Sequence, residues 1–131
     1  MIFIDANVFL AYNNTRDLLH KQAQDIWKRI EAKEFGEACT SDYVLNEVVG
    51  VTLRKQGKEK AVLLGIQIQK TIPLINIDDH LLKKAWTLFE KTSYRLNLVD
   101  CTNIIVVEAL KAESIATLDK EFKKTKLQII S

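Results

Sequence analysis

Short apolar runs alternate along this chain with longer segments in which apolar residues recur every three or four positions. The apolar runs predict five short β-strands, at residues 2–4, 38–40, 74–77, 114–118 and 127–130. The longer segments predict helices at about residues 19–30, 42–56, 58–70, 80–91 and 100–110. Strands that alternate with helices in this way favour a mainly parallel sheet with helices on both faces. We therefore predict an α/β three-layer sandwich that forms one domain over residues 1–131.

Polar residues that precede the predicted helices are candidate caps. Thr15 is a candidate for the first helix, Ser41 for the second, and Asp78 or Asp79 for the fourth. The last helix is apolar nearly all round, which is typical of a buried helix. The predicted core faces are Leu19, Ala23, Ile26, Trp27 and Ile30; Val44, Leu45, Val48, Val49 and Leu53; Ala61, Leu64 and Ile68; and Leu82, Ala85, Trp86 and Phe89.

Composition narrows the class of protein. The 131 residues are 47% hydrophobic and 27% charged, which excludes a disordered chain, and two cysteines are too few for a disulfide scaffold. Cys39 and Cys101 are expected to be reduced thiols. No signal peptide or membrane span is visible, so we expect a cytoplasmic protein. The net charge of +2 does not by itself favour nucleic-acid binding, so any such argument depends on local patches.

Four acidic residues fall where a parallel sheet places its ligand site. Asp5 and Asp119 each follow a predicted strand, and Glu47 and Asp100 lie near helix starts. Because ligands bind at the carboxyl ends of the strands in such sheets, all four are expected at one edge. Each has a simpler interpretation alone: the three aspartates are also good helix or turn caps, and Glu47 is also a plausible surface residue. Their joint placement is what favours a site.

Clustered carboxylates repel one another and raise each other's pKa unless a cation is present. Carboxylate oxygens suit Mg²⁺ or Mn²⁺. His20 and His80 are not at metal-ligand spacing with the cysteines, which argues against zinc. We therefore predict a Mg²⁺ or Mn²⁺ site.

Four segments resemble the motifs of the PIN-domain family, and specifically of the small VapC-type toxin ribonucleases. They lie in the family's order and cover nearly the whole chain, although the third is more polar than usual after its aspartate and the fourth lacks a preceding glycine. The segments are Phe3-Ile4-Asp5-Ala6-Asn7-Val8-Phe9-Leu10, Ser41-Asp42-Tyr43-Val44-Leu45-Asn46-Glu47-Val48, Leu98-Val99-Asp100-Cys101-Thr102-Asn103-Ile104 and Ile115-Ala116-Thr117-Leu118-Asp119-Lys120-Glu121-Phe122.

This resemblance implies a PIN-like fold and a Mg²⁺- or Mn²⁺-dependent endoribonuclease, the toxin of a toxin–antitoxin pair. It assigns metal binding and catalysis to Asp5, Glu47, Asp100 and Asp119. Asn7 and Thr117 become supporting residues that hold a carboxylate or a bound water, although a turn residue and a strand residue are the simpler interpretations. The resemblance also implies a homodimer and an antitoxin whose tail occupies the acidic groove.

An RNA substrate needs positive charge near these acids. One basic run contains Arg54, Lys55, Lys58 and Lys60, and another contains Lys120, Lys123, Lys124 and Lys126. We predict substrate contacts for Arg54, Lys55 and Lys120, with solvated helix ends as the simpler interpretation.

Other classes fit the sequence less well. A haloacid-dehalogenase-like phosphotransferase needs a second aspartate where Asn7 stands, and a receiver-like phosphoacceptor needs an acidic pair that is missing. A non-catalytic PIN-like RNA-binding or scaffold domain, and a housekeeping RNA-processing nuclease, stay open as alternatives. The presence of all four acids favours a nuclease.

Overall fold

Five short strands form a single parallel sheet in the computed structural model, which describes residues 1–131. The strands are ordered β3-β2-β1-β4-β5, and every neighbouring pair is parallel. The predicted α/β sandwich with a mainly parallel sheet is confirmed. The strands are β1 (Ile2–Ile4), β2 (Ala38–Ser41), β3 (Leu74–Ile75), β4 (Ser114–Ala116) and β5 (Gln128–Ile130).

Six α-helices accompany the sheet. Helices α1 to α4 pack successively on one another, through α1 on α2, α1 on α3 and α3 on α4, whereas α5 and α6 pack together as a second pair. A 3₁₀ helix at Lys120–Lys124 separates the last two strands. The helices are α1 (Ala6–Tyr12), α2 (His20–Glu31), α3 (Asp42–Gln56), α4 (Lys58–Thr71), α5 (Asp79–Lys91) and α6 (Leu98–Ala109). No helix has the length and apolar character needed to cross a bilayer.

The core is centred on the middle strands. All three residues of β1 are fully buried, because a central parallel strand is covered on both faces. Phe3 and Phe122 are the largest fully buried side chains in a cluster of 25 buried hydrophobic residues. Burial of this apolar surface supplies most of the driving force for folding, at roughly 25 cal/mol per Å². It also makes the sheet a rigid support for the loops at its carboxyl edge.

The first two helices differ from the prediction. Residues 6–12 form α1, which was predicted only as a turn, because seven residues are too few to show a helical period. Thr15 does not cap a helix. It lies in the loop before α2, whose N-terminal residue Leu19 provides no side-chain cap. On α2, Ala23, Ile26 and Ile30 are buried as expected, whereas Leu19 is exposed.

Side-chain hydrogen bonds decide where several elements begin and end. Strand β3 stops at Ile75 because the Asp42 carboxylate accepts hydrogen bonds from the Ile77 amide and the Asn76 side chain. Asp78, the first of the two candidates, caps α5 through the Leu81 amide at 2.8 Å. Strand β4 is shorter than predicted, ending at Ala116.

Three of the helices predicted to be buried are only partly so. On α3, Val44 and Val48 are buried as predicted, but Leu53 is 45% exposed. On α5, Ala85 is fully buried, but Trp86 and Phe89 are 50% and 39% exposed and pack on each other at 5.7 Å between ring centroids. On α6, burial extends through Val107, and Leu110 beyond the helix end is exposed. These helices therefore present apolar surface to solvent, which the spacing of residues alone does not reveal.

Candidate active site

The candidate site lies beside the central strand, where the strand order reverses. Strand β1 has β2 on one side and β4 on the other, so the connections that leave β1 and β4 diverge and leave a crevice at their carboxyl ends. Asp5 follows β1 directly, and Thr117 and Asp119 follow β4. Helices α3 and α6 begin at the same edge, since α3 follows β2 directly and Asn103 of α6 donates to Asp5.

Asp5 is the centre of a hydrogen-bond network. It is 3% exposed, and its carboxylate accepts four hydrogen bonds. Oδ1 accepts from the Ala6 amide at 2.8 Å and from Asn103 Nδ2 at 3.0 Å. Oδ2 accepts from Thr117 Oγ1 at 2.8 Å and from Asn7 Nδ2 at 3.1 Å. Four donors match the four acceptor positions of a carboxylate, so the orientation of Asp5 is fully determined.

Asn7 and Thr117 both contact the Asp5 carboxylate and connect it to β4. Asn7 Nδ2 donates to Thr117 Oγ1 at 3.0 Å, and Asn7 Oδ1 accepts from the Leu118 amide at 2.9 Å. Thr117 Oγ1 also accepts from the Asp119 amide at 3.2 Å. The two residues thus hold the first and last acidic segments together at the site.

Asp100 and Asp119 are both held by backbone amides. Asn97, rather than Asp100, is the N-cap of α6, and Asp100 completes a capping box by accepting from the Asn97 amide at 3.0 Å. Asp119 caps the 3₁₀ helix through the Glu121 amide at 2.9 Å. Both carboxylates are half-buried, and each uses only one oxygen in its cap. Capping and a functional role are therefore compatible in these residues.

Glu47 enters the site from the second turn of α3. The helix begins at Ser41, whose side chain accepts from the Val44 amide at 3.1 Å, and Val44 and Val48 pack into the core. Glu47 lies between these buried positions and is itself half-buried. The interpretation of Glu47 as a freely solvated helix residue does not fit this environment.

Burial, with a smaller contribution from neighbouring acids, raises the pKa of three of the four acids. Burial, aided by the charges of Glu47 and Asp119, raises the pKa of Asp5 to about 6, against the opposing hydrogen bonds from Thr117 and Ala6. Burial, with the charges of Asp5 and Asp119, raises the pKa of Asp100 to about 6 although the Asn97 amide opposes it. Burial and the charge of Asp100 raise the pKa of Glu47. Each of these three acids thus interacts with the charge of at least one other acid of the set, and their joint role as a metal site stays a prediction.

No basic side chain neutralises this cluster. The ion pairs of the protein lie elsewhere, at Arg29–Glu34, Lys33–Glu37 and Lys124–Glu121. Buried carboxylates without a positive partner are costly unless a cation binds, and an all-oxygen donor set suits Mg²⁺ or Mn²⁺. The side chains do not form a ready-made cage, since no group of three is spaced to hold a metal. A cation would therefore require side-chain rotation of the half-buried acids toward Asp5.

Asn103 is a further residue of the site that the sequence analysis did not assign. Its side chain is fully buried, and Nδ2 donates to Asp5 while Oδ1 has no hydrogen-bond partner. A signal was present in the sequence: Asn103 lies three residues after Asp100 on a mostly apolar helix, so both are on one helix face. A buried amide in such a helix indicates a specific polar partner.

The predicted substrate-binding residues separate into two groups. Lys55 lines a cavity beside Asn7 and Asp119, and Lys120 lines a smaller cavity on the other side of Asp119. Arg54 does not line either cavity. Its guanidinium extends back along α3, with Nη1 3.6 Å from the position a β-carbon would take at Gly50.

Comparison with known proteins identifies the family. The PIN domain family matches residues 2–127. The chain belongs to the PIN-domain family. Toxin VapC20 of Mycobacterium tuberculosis, described as cleaving the sarcin–ricin loop, has the same fold. It shows a TM-score of 0.86 and 22% identity over 98% of this chain and 97% of that one.

A second solved structure extends the likeness in fold. A toxin–antitoxin complex from Klebsiella pneumoniae contains a chain with a TM-score of 0.71 and 16% identity, covering 100% of this chain and 97% of that one. No curated protein sequence matches the chain significantly. The PIN-like fold expected from the sequence motifs is therefore confirmed.

Proposed function

We propose that this PIN-domain protein is a divalent-metal-dependent endoribonuclease of the VapC toxin type. The observation that carries the proposal is the cluster of four carboxylates beside β1, which shares one electrostatic environment and has no basic partner. The likeness in fold to VapC20 and to the Klebsiella toxin–antitoxin chain supports the toxin class. Members of this family generally use divalent metal ions, which agrees with the all-oxygen donor set.

The proposed roles follow from how each acid is held. Asp5 is the fixed member of the set, because its hydrogen bonds set its orientation, and a bound cation would take the place of one of the four donors. Glu47, Asp100 and Asp119 complete the ligand set from three other segments. Asn7 and Thr117 act as positioning residues that keep Asp5 in place. A divalent cation bound there would activate a water for in-line attack and offset the charge that develops on the phosphate.

Lys55 and Lys120 are proposed to contact the RNA backbone on the two sides of Asp119. Their ammonium groups offset phosphate repulsion from the acidic cluster, and their cavities adjoin the site. Arg54, which is exposed but lines neither cavity, stays a proposed substrate contact. The charge pattern therefore favours an RNA strand that passes over Asp119.

An antitoxin and a second copy of this chain are proposed partners. Helices α3 and α4 carry exposed apolar side chains, with Leu53, Leu63 and Ile66 between 44% and 61% exposed. Such residues favour burial against another protein. The acidic groove suits a basic antitoxin segment that would compete with metal and RNA.

The decisive experiment measures cleavage of a labelled RNA with Mg²⁺, with Mn²⁺ and with EDTA. Asp5→Asn and Asp100→Asn are expected to lose at least a hundredfold in rate, while Asp25→Asn, an exposed aspartate on α2, retains wild-type activity. Equal cleavage in EDTA, or full activity in both site variants, would overturn the proposal. Isothermal titration of Mn²⁺ into the same variants reports metal binding separately from catalysis.

Toxin identity requires a cellular test. Induced expression is expected to arrest growth, Asp100→Asn is expected to abolish the arrest, and co-expression of the protein encoded beside it should relieve the arrest. Growth that continues normally despite a protein active on RNA would favour a housekeeping nuclease instead.

A further inference from the structure

A polar depression of about 580 Å³ lies near the candidate active site and has no part in the proposed metal chemistry. Three segments line it: the loop after α1, the last turn of α3 and the first turn of α4. The lining contains three cationic side chains, Arg16, Lys55 and Lys60, together with amide and hydroxyl side chains. It contains no carboxylate and no hydrophobic residue. The depression therefore presents only positive charge and neutral polar groups.

The three cations have no counter-ion within the protein. They belong to none of its ion pairs, which are all formed by other residues, and all three side chains are exposed. Arg16 comes from a segment far from Lys55 and Lys60 in the sequence, so the fold brings the three together. Cations that gather without carboxylates raise the local potential, which favours an anion with several charges.

The composition of the depression favours phosphate groups over an acidic protein segment. Protein interfaces are anchored by buried apolar and aromatic side chains, and this depression offers none. Phosphate and sugar oxygens are bound instead by arginine, lysine, asparagine, glutamine and threonine side chains, which are the residue types that line it. The chemistry of the lining therefore suits the backbone of a nucleic acid.

A cavity of about 240 Å³ lies between the depression and the acidic cluster. It shares three lining residues with the depression, Lys55 among them, and it is also lined by Asn7 and Asp119. Lys55 attracts a phosphate, whereas Asp17, which lines the cavity as well, repels one. A phosphate is therefore favoured at the Lys55 wall, which belongs to both the cavity and the depression.

We propose that Arg16, Lys55 and Lys60 bind the phosphate backbone of the RNA, away from the phosphate that is cleaved. This site rests on the proposed ribonuclease function and extends its substrate to a strand that continues past Lys55. Lys120 lies on the other side of Asp119, so the depression receives only one of the two arms of the strand. Because phosphates carry no sequence information, the site would strengthen the binding of all RNA sequences alike.

The first test measures RNA binding without cleavage. Fluorescence anisotropy with a labelled RNA of about 12 nucleotides in EDTA compares wild type with Arg16→Gln/Lys60→Gln. Lys55 stays in place because it also lines the cavity beside the acids. The double variant should bind about tenfold more weakly, and its salt dependence should fall by about 1.4 in slope, or about 0.7 for each phosphate contact. Wild-type affinity and slope in the double variant would overturn the proposal.

Lys28→Gln/Lys70→Gln is the matched control. It removes the same amount of charge from exposed positions on α2 and α4 that line neither the cavity nor the depression. Its RNA affinity and salt slope should stay at the wild-type values, and the Tm of both double variants should stay within about 2 °C of wild type, because all four side chains are exposed. An equal loss of affinity in both double variants would mean that net charge alone is responsible, which would overturn the site.

The second test locates the contact along the RNA. Metal-dependent cleavage is measured as the substrate is shortened one nucleotide at a time from each end, with the cut site held fixed. For long substrates Arg16→Gln/Lys60→Gln should raise KM with little change in kcat. This difference from wild type should vanish as one end is shortened and persist as the other is. A difference that persists at every length, or that vanishes equally from both ends, would contradict a contact with one arm of the strand.

An acidic segment of a protein partner is the competing occupant. A labelled poly-glutamate peptide with the same net charge as the RNA is titrated in parallel. It should bind about tenfold more weakly than the RNA, because the depression has no apolar anchor for a peptide. Tight peptide binding that requires Arg16 and Lys60, with RNA binding unaffected by their loss, would assign the depression to a protein and overturn the RNA site.

These measurements separate the backbone site from the proposed function. RNA binding that depends on Arg16 and Lys60, in a protein that never cleaves RNA, would overturn the nuclease but keep the backbone site. Metal-dependent cleavage with an unchanged KM in Arg16→Gln/Lys60→Gln would keep the nuclease and overturn the backbone site.

Discussion

The uncompensated carboxylates predict that the metal-free protein loses stability as the pH rises. The pKa of Asp5 is about 6 in the folded state and 3.8 in the reference state, because burial disfavours its charged form. A raised pKa means that the folded state holds the proton more tightly than the unfolded state. The contribution of Asp5 to the free energy of unfolding is therefore favourable below about pH 4. It is lost between about pH 4 and 6 and is absent above that range.

The size of this stability loss follows from the shift in the pKa of Asp5. About two pH units at 1.36 kcal/mol each correspond to roughly 3 kcal/mol of unfolding free energy for Asp5, which is fully buried and needs no discount for solvent screening. Asp100 has a raised pKa as well but is half-buried, so its contribution is smaller. A loss of about 3 kcal/mol is a large part of the roughly 5–15 kcal/mol that stabilises a typical domain.

Urea unfolding in EDTA, followed by circular dichroism from pH 4.5 to 8, measures this dependence. Asp5→Asn is expected to flatten the decline, although its absolute stability should be lower because an amide cannot accept all four hydrogen bonds. Glu37→Gln is the control. Lys33 lowers the pKa of Glu37, so Glu37 affects the pH dependence of stability with the opposite sign to Asp5. The loss of stability with rising pH should therefore persist in Glu37→Gln. At pH 7.5, Mg²⁺ at a hundred times its Kd should restore about 2.7 kcal/mol.

Two outcomes would contradict this pH dependence of stability. One is a wild-type stability that stays constant or rises between pH 4.5 and 7 in EDTA. The other is an unchanged slope in Asp5→Asn, which would mean that another group is responsible for the decline.

Three further predictions follow from individual contacts. Asn103→Ala should destabilise the protein by about 2 kcal/mol in urea unfolding, since Asp5 loses a buried hydrogen-bond donor. The same variant should bind Mn²⁺ more weakly in calorimetry. Unchanged Mn²⁺ affinity would contradict a positioning role for Asn103. Ser41→Ala should cost about 1 kcal/mol in urea unfolding, because α3 loses its N-cap. Lys55→Gln and Lys120→Gln should each reduce the salt dependence of RNA binding by about 0.7 in slope, measured by fluorescence anisotropy; a slope equal to that of wild type would argue against a phosphate contact.

Much of the architecture could be predicted because its signals are local. The strand at residues 2–4 and the helix at 58–70 were predictable from apolar spacing, and burial of Ala61, Leu64 and Ile68 agrees with it. Helix α1 was not predictable, since its seven residues are too few to show a period and Asp5 fits a turn equally well. The exposure of Trp86 and Phe89 also escaped prediction, because periodicity shows that a face is apolar but not what covers it.

The sequence alone was enough to name candidates for the chemistry: four acids placed after strands or near helix starts, with Asn7 and Thr117 beside two of them. Parallel topology made their convergence predictable, because strand ends and helix starts meet at one edge of such a sheet. How these residues are held depends on tertiary contacts. Asn103 donates to Asp5 across 98 positions of the chain, and the cavity beside Asn7 and Asp119 is lined by four separate segments. Such contacts depend on the packing of distant segments, and no local pattern of residues encodes them.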